Sequence, residues 1–556
     1  MNTRLIVAAA LMFLPVHASA QILYGSLVGN VKDTSDAAIP GAEVRAVHAE
    51  TNQTRTTLTN DSGGFTFANL APGTYEVSVS REGFRPARNT GVAVTINSVS
   101  RADVTLEVGA ITESINVSAA TAALQTDRAE VRAELTSKAL TNLPVPPGRN
   151  YQGLFVLIPG FTPPENRHSV PGNPSRALVF SVNGTSAQSN NTRIDGASSS
   201  NIWRPDAVAY VPALESIETV NVVTNSFDAE QGLAGGAAIN VQIKSGTNSL
   251  HGSAFEYYNG NRLKARPFFL PASERKPKDV FNQFGGTVGG PIVRDKLFYF
   301  LSYEGTYNHR FASAIGSVPT AAMRGGDLSG APAARPIYDP FTGSVDGSGR
   351  TPIPGNQIPV SRMPAAVQKI LPLWPNPTLP GTQNNYFAAG RFTLDRNTID
   401  TKVNWNATPK LNMYGRYSYL MFESANRQFF GDQLGGAPIA GGQAGFAQGH
   451  STSFTVAGSY VVRPNFLIDA YFGYTRAEAD SRQPRLDENI GKDFLNLPGT
   501  NGTRWFEGGW PQFNIANFTL FGAPNGFQPN ILNDPQYQYV VNANWTRGGH
   551  NVRFGI

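Results

Sequence analysis

The chain has no cysteine in its 556 residues. Disulfides, thiolate nucleophiles and cysteine-held metals are therefore excluded, and packing and hydrogen bonds must hold the fold. Charge is also scarce. Asp, Glu, Lys and Arg make up 15% of the chain, and the formal net charge of +5 is dispersed over its whole length. No basic patch of the kind that binds nucleic acid stands out, so no nucleic-acid partner is expected. The seven histidines are scattered without HExxH spacing, so no catalytic residue, metal or cofactor is assigned and no enzyme is expected. No apolar run reaches the roughly 20 residues that a membrane-crossing helix needs.

Turns and alternating strands are what the sequence does contain, with 56 Gly and 39 Pro. The first 20 residues carry Arg4, an apolar core over 5–16 and the triplet Ala18-Ser19-Ala20. That is the pattern of a secretory signal peptide, with cleavage between Ala20 and Gln21. Residues 21–108 read as a β-sandwich: short strands over 27–31, 43–48, 54–59, 64–67, 74–80, 92–95 and 102–106 alternate with turn clusters such as Asn60-Asp61-Ser62-Gly63-Gly64. Residues 109–134 read as a linker with an Ala-rich, weakly helical run over 119–140. Inside it, Ile111-Thr112-Glu113-Ser114-Ile115-Asn116-Val117 favours an extended strand whose backbone could pair with another protein.

Residues 135–248 read as a mixed α/β domain, with a helix ending near Pro144, a second short helix over 149–160 and a strand over 179–183. Ile217, Val220, Val222 and Val223, then Gly232, Gly235 and Gly236, then Ile239, Val241 and Ile243 read as strand, tight crossing, strand. Arg193, Asp195 and Glu230 are candidates for contact with a surrounding wall or a substrate, and paired structural charges are the simpler reading. Asp195-Gly196 reads as a turn.

From 249 to 556 the period is two. Ile399, Thr401, Val403 and Trp405 alternate with Asp400, Lys402, Asn404 and Asn406, as if one face met lipid and the other water. Strands of about ten residues are expected, the membrane-spanning length. Their links alternate between long (260–281, 308–397, 424–450, 479–535) and short, the asymmetry of outer-membrane barrels, whose long loops face the medium.

The residues resemble a known family. AEQGLAGGAAINVQIKSGTNSLHGSAFEYYNG, LPVPPGRNYQGLFVLIPGFTP, FSVNGTSAQSNNTRIDGAS and NQFGGTVGGPIVRDKLFYFLSYEG are similar, in that order, to TonB-dependent outer-membrane transporters of the Oar-like branch. IPGAEV and TNDSGGFTFANLAPGTYEVSV resemble the carboxypeptidase regulatory-like domain, a prealbumin-like sandwich, with Ala37-Ala38 standing where that family usually places a glycine.

The resemblance implies a mainly β protein with three parts: a periplasmic sandwich, an α/β plug, and the first part of an antiparallel transmembrane barrel. About nine strands are legible of the roughly twenty-two that such a transporter closes with, so the sequence reads as the N-terminal part of a longer chain. It also implies that residues 111–117 are a TonB box, that TonB and outer-membrane lipid are partners, and that the ligand is an oligosaccharide, a peptide or a chelated metal. An adhesion or structural surface protein without transport is the alternative.

Overall fold

The computed structural model describes residues 25–95, 98–109, 115–118, 129–145, 148–227, 232, 234–266, 276, 278–332, 335–463, 465–547 and 550–556. The signal-peptide residues Ala18, Ala20 and Gln21 lie outside them.

Eight strands build the sandwich: β1 (Gly25–Asp33), β2 (Glu43–His48), β3 (Thr54–Leu58), β4 (Gly64–Leu70), β5 (Gly73–Ser80), β6 (Ala87–Val94), β7 (Val99–Arg101) and β8 (Val104–Leu106). The strand expected at 102–106 is shortened to β8, β7 is an additional short strand before it, and both pair in parallel with β1. Alternate residues of the facing sheets, among them Leu27, Val31, Val44, Phe65, Tyr75 and Val77, form one buried core. At Ala37-Ala38 the turn closes without the family's glycine. Asp36 takes the left-handed conformation (φ 69°) instead, and Asp33 Oδ1 accepts from the Ala37 amide at 3.0 Å.

The linker corrects the sequence reading at both ends. Ile115–Ser118 forms β9, which adds in parallel to the β6 edge of the sandwich. Val131–Thr136, expected within a weakly helical run, is strand β10, paired antiparallel with β13 (Ile217–Asn225). Partners distant in sequence override the local helical preference there.

A helix, α1 (Ser137–Asn142), follows, capped by the Thr136 hydroxyl, and then a 3₁₀ turn over Tyr151–Leu157. With β11 (Asn191–Ile194), β12 (Ala197–Ser198) and β14 (Ala238–Ile243), strands β10 and β13 make a sheet in the order β10-β13-β14-β11-β12. The expected strand at 179–183 is reduced to isolated bridges, Glu165 to Val179 and Phe161 to Val182, and the chain leaves extended geometry at Asn183 (φ 50°). The crossing between β13 and β14 is as tight as the glycines suggest: a Cβ on Gly236 would lie 2.5 Å from Asn190 Oδ1. The centre of this inner domain is buried, including every residue of β14.

Around it curves a nine-stranded antiparallel sheet, the wall. Its strands are β15 (His251–Gly260), β16 (Val280–Val293), β17 (Leu297–Gly316), β18 (Tyr386–Thr408), β19 (Leu411–Asn426), β20 (Gly445–Arg463), β21 (Phe466–Arg482), β24 (Asn530–Arg547) and β25 (His550–Gly555); a two-residue hairpin, β22 (Gln512–Phe513) with β23 (Phe521–Gly522), sits in the last long link. Among the described residues the sheet does not close on itself. Seven of the nine strands, β15 and β25 being the exceptions, outrun the expected ten residues, β18 reaching 23. They carry straight on into what the sequence showed as loop, because ladder hydrogen bonds continue where the apolar alternation stops.

The alternation itself is inverted relative to the sandwich. On β18, Thr398, Asp400 and Lys402 are buried while Ile399, Val403 and Trp405 are exposed on the outer face. The polar face therefore meets the inner domain and not open water. No helix among the described residues is long and apolar enough to cross a membrane.

Candidate functional site: the polar seam between inner domain and wall

The seam is built from one tight turn and two neighbouring wall strands. Ile194 pairs with Ala197 across a two-residue loop whose members, Asp195 and Gly196, both have positive φ (43° and 85°). That is the geometry for which Asp-Gly is suited. The turn points the Asp195 carboxylate at the wall. Lys402 Nζ donates to its Oδ1 at 2.9 Å, Arg416 Nε lies 3.7 Å from Oδ2, and the Ile243 amide donates to Oδ1 at 3.3 Å. Tyr414 closes the group from outside, donating its hydroxyl to the Asp195 carbonyl at 3.0 Å while Lys402 sits 5.0 Å over its ring.

One pair along β18, the charges are reversed between the two sides. Asp400 of the wall accepts from Tyr210 (2.7 Å) and Ser216 (2.8 Å) of the inner domain, and from Ser418 (2.6 Å) of β19. Burial, and then the nearby Asp400 charge, push the Tyr210 phenol well above its usual pKa, so it remains a donor. Two further links tie the halves together: the Arg149 guanidinium, paired within the inner domain to Glu215 at 2.7 Å, lies over Phe255 and Tyr257 of β15, and Arg396 Nη1 donates to the Ser175 carbonyl at 3.3 Å.

Energetically the seam positions more than it stabilises. Desolvating two charges roughly cancels their attraction, whereas removing one partner strands the other at a cost of about 3–5 kcal/mol. The seam holds the inner domain in one orientation.

Of the residues singled out in the sequence, Asp195 is both the turn and the paired structural charge. Arg193 is buried and donates to the Gly232 carbonyl at 3.3 Å. Glu230 and residues Ile111, Thr112, Glu113 and Ser114 lie outside the described residues. Ile115, Asn116 and Val117 are not a free tether: they pair with Ala87, Arg88 and Asn89 on the sandwich edge. Sequence reasoning missed Lys402, Asp400 and Arg416 as partners. Two opposite charges spaced by two in an alternating strand were the available signal.

The sandwich sits at the short-turn side. Asn52 and Asn248 both donate to Asp295 Oδ1, at 3.0 and 2.8 Å, and the Asn248 amide donates to the Glu50 carbonyl at 3.0 Å. Between sandwich, inner domain and wall lies a cavity of about 880 Å³, lined in part by His48, Glu134, Glu218, Lys244 and His251. No group of three or more metal-ligating side chains is found among the described residues.

An open antiparallel wall, apolar outside and polar inside around a buried domain, defines an outer-membrane β-barrel type of protein. Residues 242–556 match the outer membrane beta barrel domain family and residues 26–107 the carboxypeptidase regulatory-like domain. The chain belongs to the outer membrane beta barrel domain family. The TonB-dependent transporter Oar of Myxococcus xanthus is 25% identical over 311 residues, which cover 52% of this chain and 28% of that protein. The chain thus spans less than a third of that relative's length. More distant in sequence are the ferric enterobactin receptor of Pseudomonas aeruginosa (13% identity, 76% of this chain and 48% of that chain, TM-score 0.41) and the outer membrane transporter YddB of Escherichia coli (11%, 75% and 45%, TM-score 0.44).

Proposed function

We propose that the chain is the N-terminal part of a TonB-dependent outer-membrane transporter, in which the prealbumin-like sandwich is periplasmic, the inner domain is the plug, and the wall is the first nine strands of a barrel. The polar seam carries this reading: a wall that presents apolar residues outward and ionic partners inward fits a plug held reversibly inside a membrane barrel. Unpaired strand edges cannot face lipid, so β15 and β25 need partner strands when the wall is in a membrane. The long links, 317–385 among them, face the medium, and the sandwich side faces the periplasm. The substrate is an oligosaccharide, a peptide or a chelated metal too large or scarce for porins, and the protein's work is passage and not catalysis.

Residues 111–117 are then the TonB-pairing segment. The pairing of β9 with β6 supports this, because it is the same backbone reaction performed within one chain. TonB would have to replace the sandwich edge as partner. This stretch of sequence brings no cysteine of its own to the test. In the intact protein, Val117→Cys should form a disulfide cross-link with a cysteine placed in the periplasmic strand of TonB, and Ile115→Pro in the same background should abolish it while leaving surface abundance unchanged. No cross-link from any position in 111–117 would remove the segment from the mechanism.

A further inference from the structure

On the long-link side of the inner domain three arginines gather inside the wall. Arg310 (β17) and Arg396 (β18) both occupy inward-facing positions: Arg310 pairs across the strands with Phe392 and Arg396 with Thr306, so each arginine lies four residues along its strand from the other's partner. Arg176, in the inner domain, stands beside them. Arg396 Nη1 donates to the carbonyl of Ser175, its chain neighbour, at 3.3 Å, and Nη2 to Thr306 Oγ1 at 3.3 Å. Arg310 lies 4.7 Å over the ring of Phe392. Arg176 Nη1 donates to the His168 carbonyl at 3.0 Å, and its backbone is in the left-handed region (φ 57°), where residues other than glycine are uncommon.

The charges do not balance. Among the described residues Glu304, 3.5 Å from Arg396, is the carboxylate ion-paired to this group, and neither Arg176 nor Arg310 has an ion pair. Arg396 is 8% exposed, and its Nε is buried without a hydrogen-bond partner. A buried N–H left unmatched costs about 1–3 kcal/mol, and such groups in a native fold call for a reason. Burial and the neighbouring Arg396 and Arg310 push the Arg176 guanidinium down to about 10, the direction that repulsion among like charges requires. Exposure is graded along the set: Arg310 is open to the lumen side, Arg176 is half-buried and Arg396 is buried. A planar fork of donors matches phosphate and carboxylate oxygens, and an anion seated among the three would relieve both the repulsion and the unmatched donor.

We propose that Arg310, Arg176 and Arg396 form a binding site for a polyvalent oxyanion, phosphate- or carboxylate-bearing, between the long links and the inner domain. This deepens the transport reading and rests on it, since it names the chemistry of what the receptor takes in. The anion would enter at exposed Arg310 and end against Arg396, whose contact with Ser175 belongs to the seam, so occupancy and the hold on the inner domain share one side chain.

The test is calorimetric titration of pyrophosphate, and separately of citrate, into the intact protein in detergent, with sodium chloride matching the ionic strength. Saturable binding of at least one anion is expected, weakened tenfold or more by Arg310→Gln and by less in Arg310→Lys. Which anion binds more tightly distinguishes phosphate from carboxylate recognition. Arg310 is exposed and in no ion pair, so its substitution leaves the wall folded, which far-ultraviolet circular dichroism checks. No saturable heat with either anion, or equal affinity in parent and Arg310→Gln, overturns the site. The TonB cross-link needs no anion, so either result can fail without the other.

Discussion

Strands β2 and β18 carry the same period and opposite sense. In β2, Val44, Ala46 and His48 face a sandwich core and Glu43 and Arg45 face outward; in β18, Asp400 and Lys402 face the interior and Ile399 and Val403 face out. Alternation identifies a strand, but which set is buried depends on the surroundings of the outer face. Where that face meets water, apolar residues turn inward. Where it meets lipid, they turn outward, and the interior is left to whatever polar groups can satisfy one another.

The largest expected effect comes from breaking the polar interior. Lys402→Ala should destabilise the hold on the inner domain by about 3–5 kcal/mol, because Asp195 loses its close donor while 2% exposed. The double variant Asp195→Asn with Lys402→Met, which removes both charges, should recover much of that loss. Hydrogen exchange of β11 and β14 amides measures both.

Matched truncations on the two kinds of face sharpen the contrast. Leu27→Ala in the sandwich, fully buried, should cost about 2–5 kcal/mol. Val403→Ala on the outer face of the wall should stay within about 0.5 kcal/mol. Thermal unfolding followed separately for sandwich and wall reads the pair.

How much of this was legible follows from the same contrast. The strand count of the wall and the short and long links follow from local patterning, and so do the sandwich strands and the Asp195-Gly196 turn. What local patterning could not show was the partner of each inward charge: Asp195 and Lys402 are 207 residues apart. For the same reason the partners of β9 and β10 were missed: residues 115–117 read as strand-forming and 131–136 as weakly helical, but that they pair with β6 and β13 is decided by edges distant in sequence. The over-long strands of the wall escaped because their upper parts no longer face a uniform apolar medium, and alternation fades while the ladder continues.

A smaller effect separates the sandwich from the rest by pH. Burial holds the His48 imidazole below its usual pKa of about 6.5, against the opposing pull of the Pro72 carbonyl and Glu50. The unfolded chain then binds a proton that the folded sandwich refuses. Sandwich stability should be full above about pH 6.5 and decline as pH falls below it. His48→Phe, which keeps the ring packed on Tyr75, should flatten that decline in a melting series between pH 5 and 8.

The central claim, that the wall turns its apolar set to lipid, is tested most directly on β18 in the intact protein reconstituted in bilayers. In a background whose cysteines outside this sequence, if present, are replaced, single spin labels are placed at Ile399, Thr401 and Val403 and, as inward controls, at Leu394 and Thr398. The account predicts high accessibility to oxygen and low accessibility to a water-soluble nickel complex at the three odd positions, and shielding from both at the two even ones. Equal accessibility along the strand, or nickel reaching Ile399 and Val403, would contradict it.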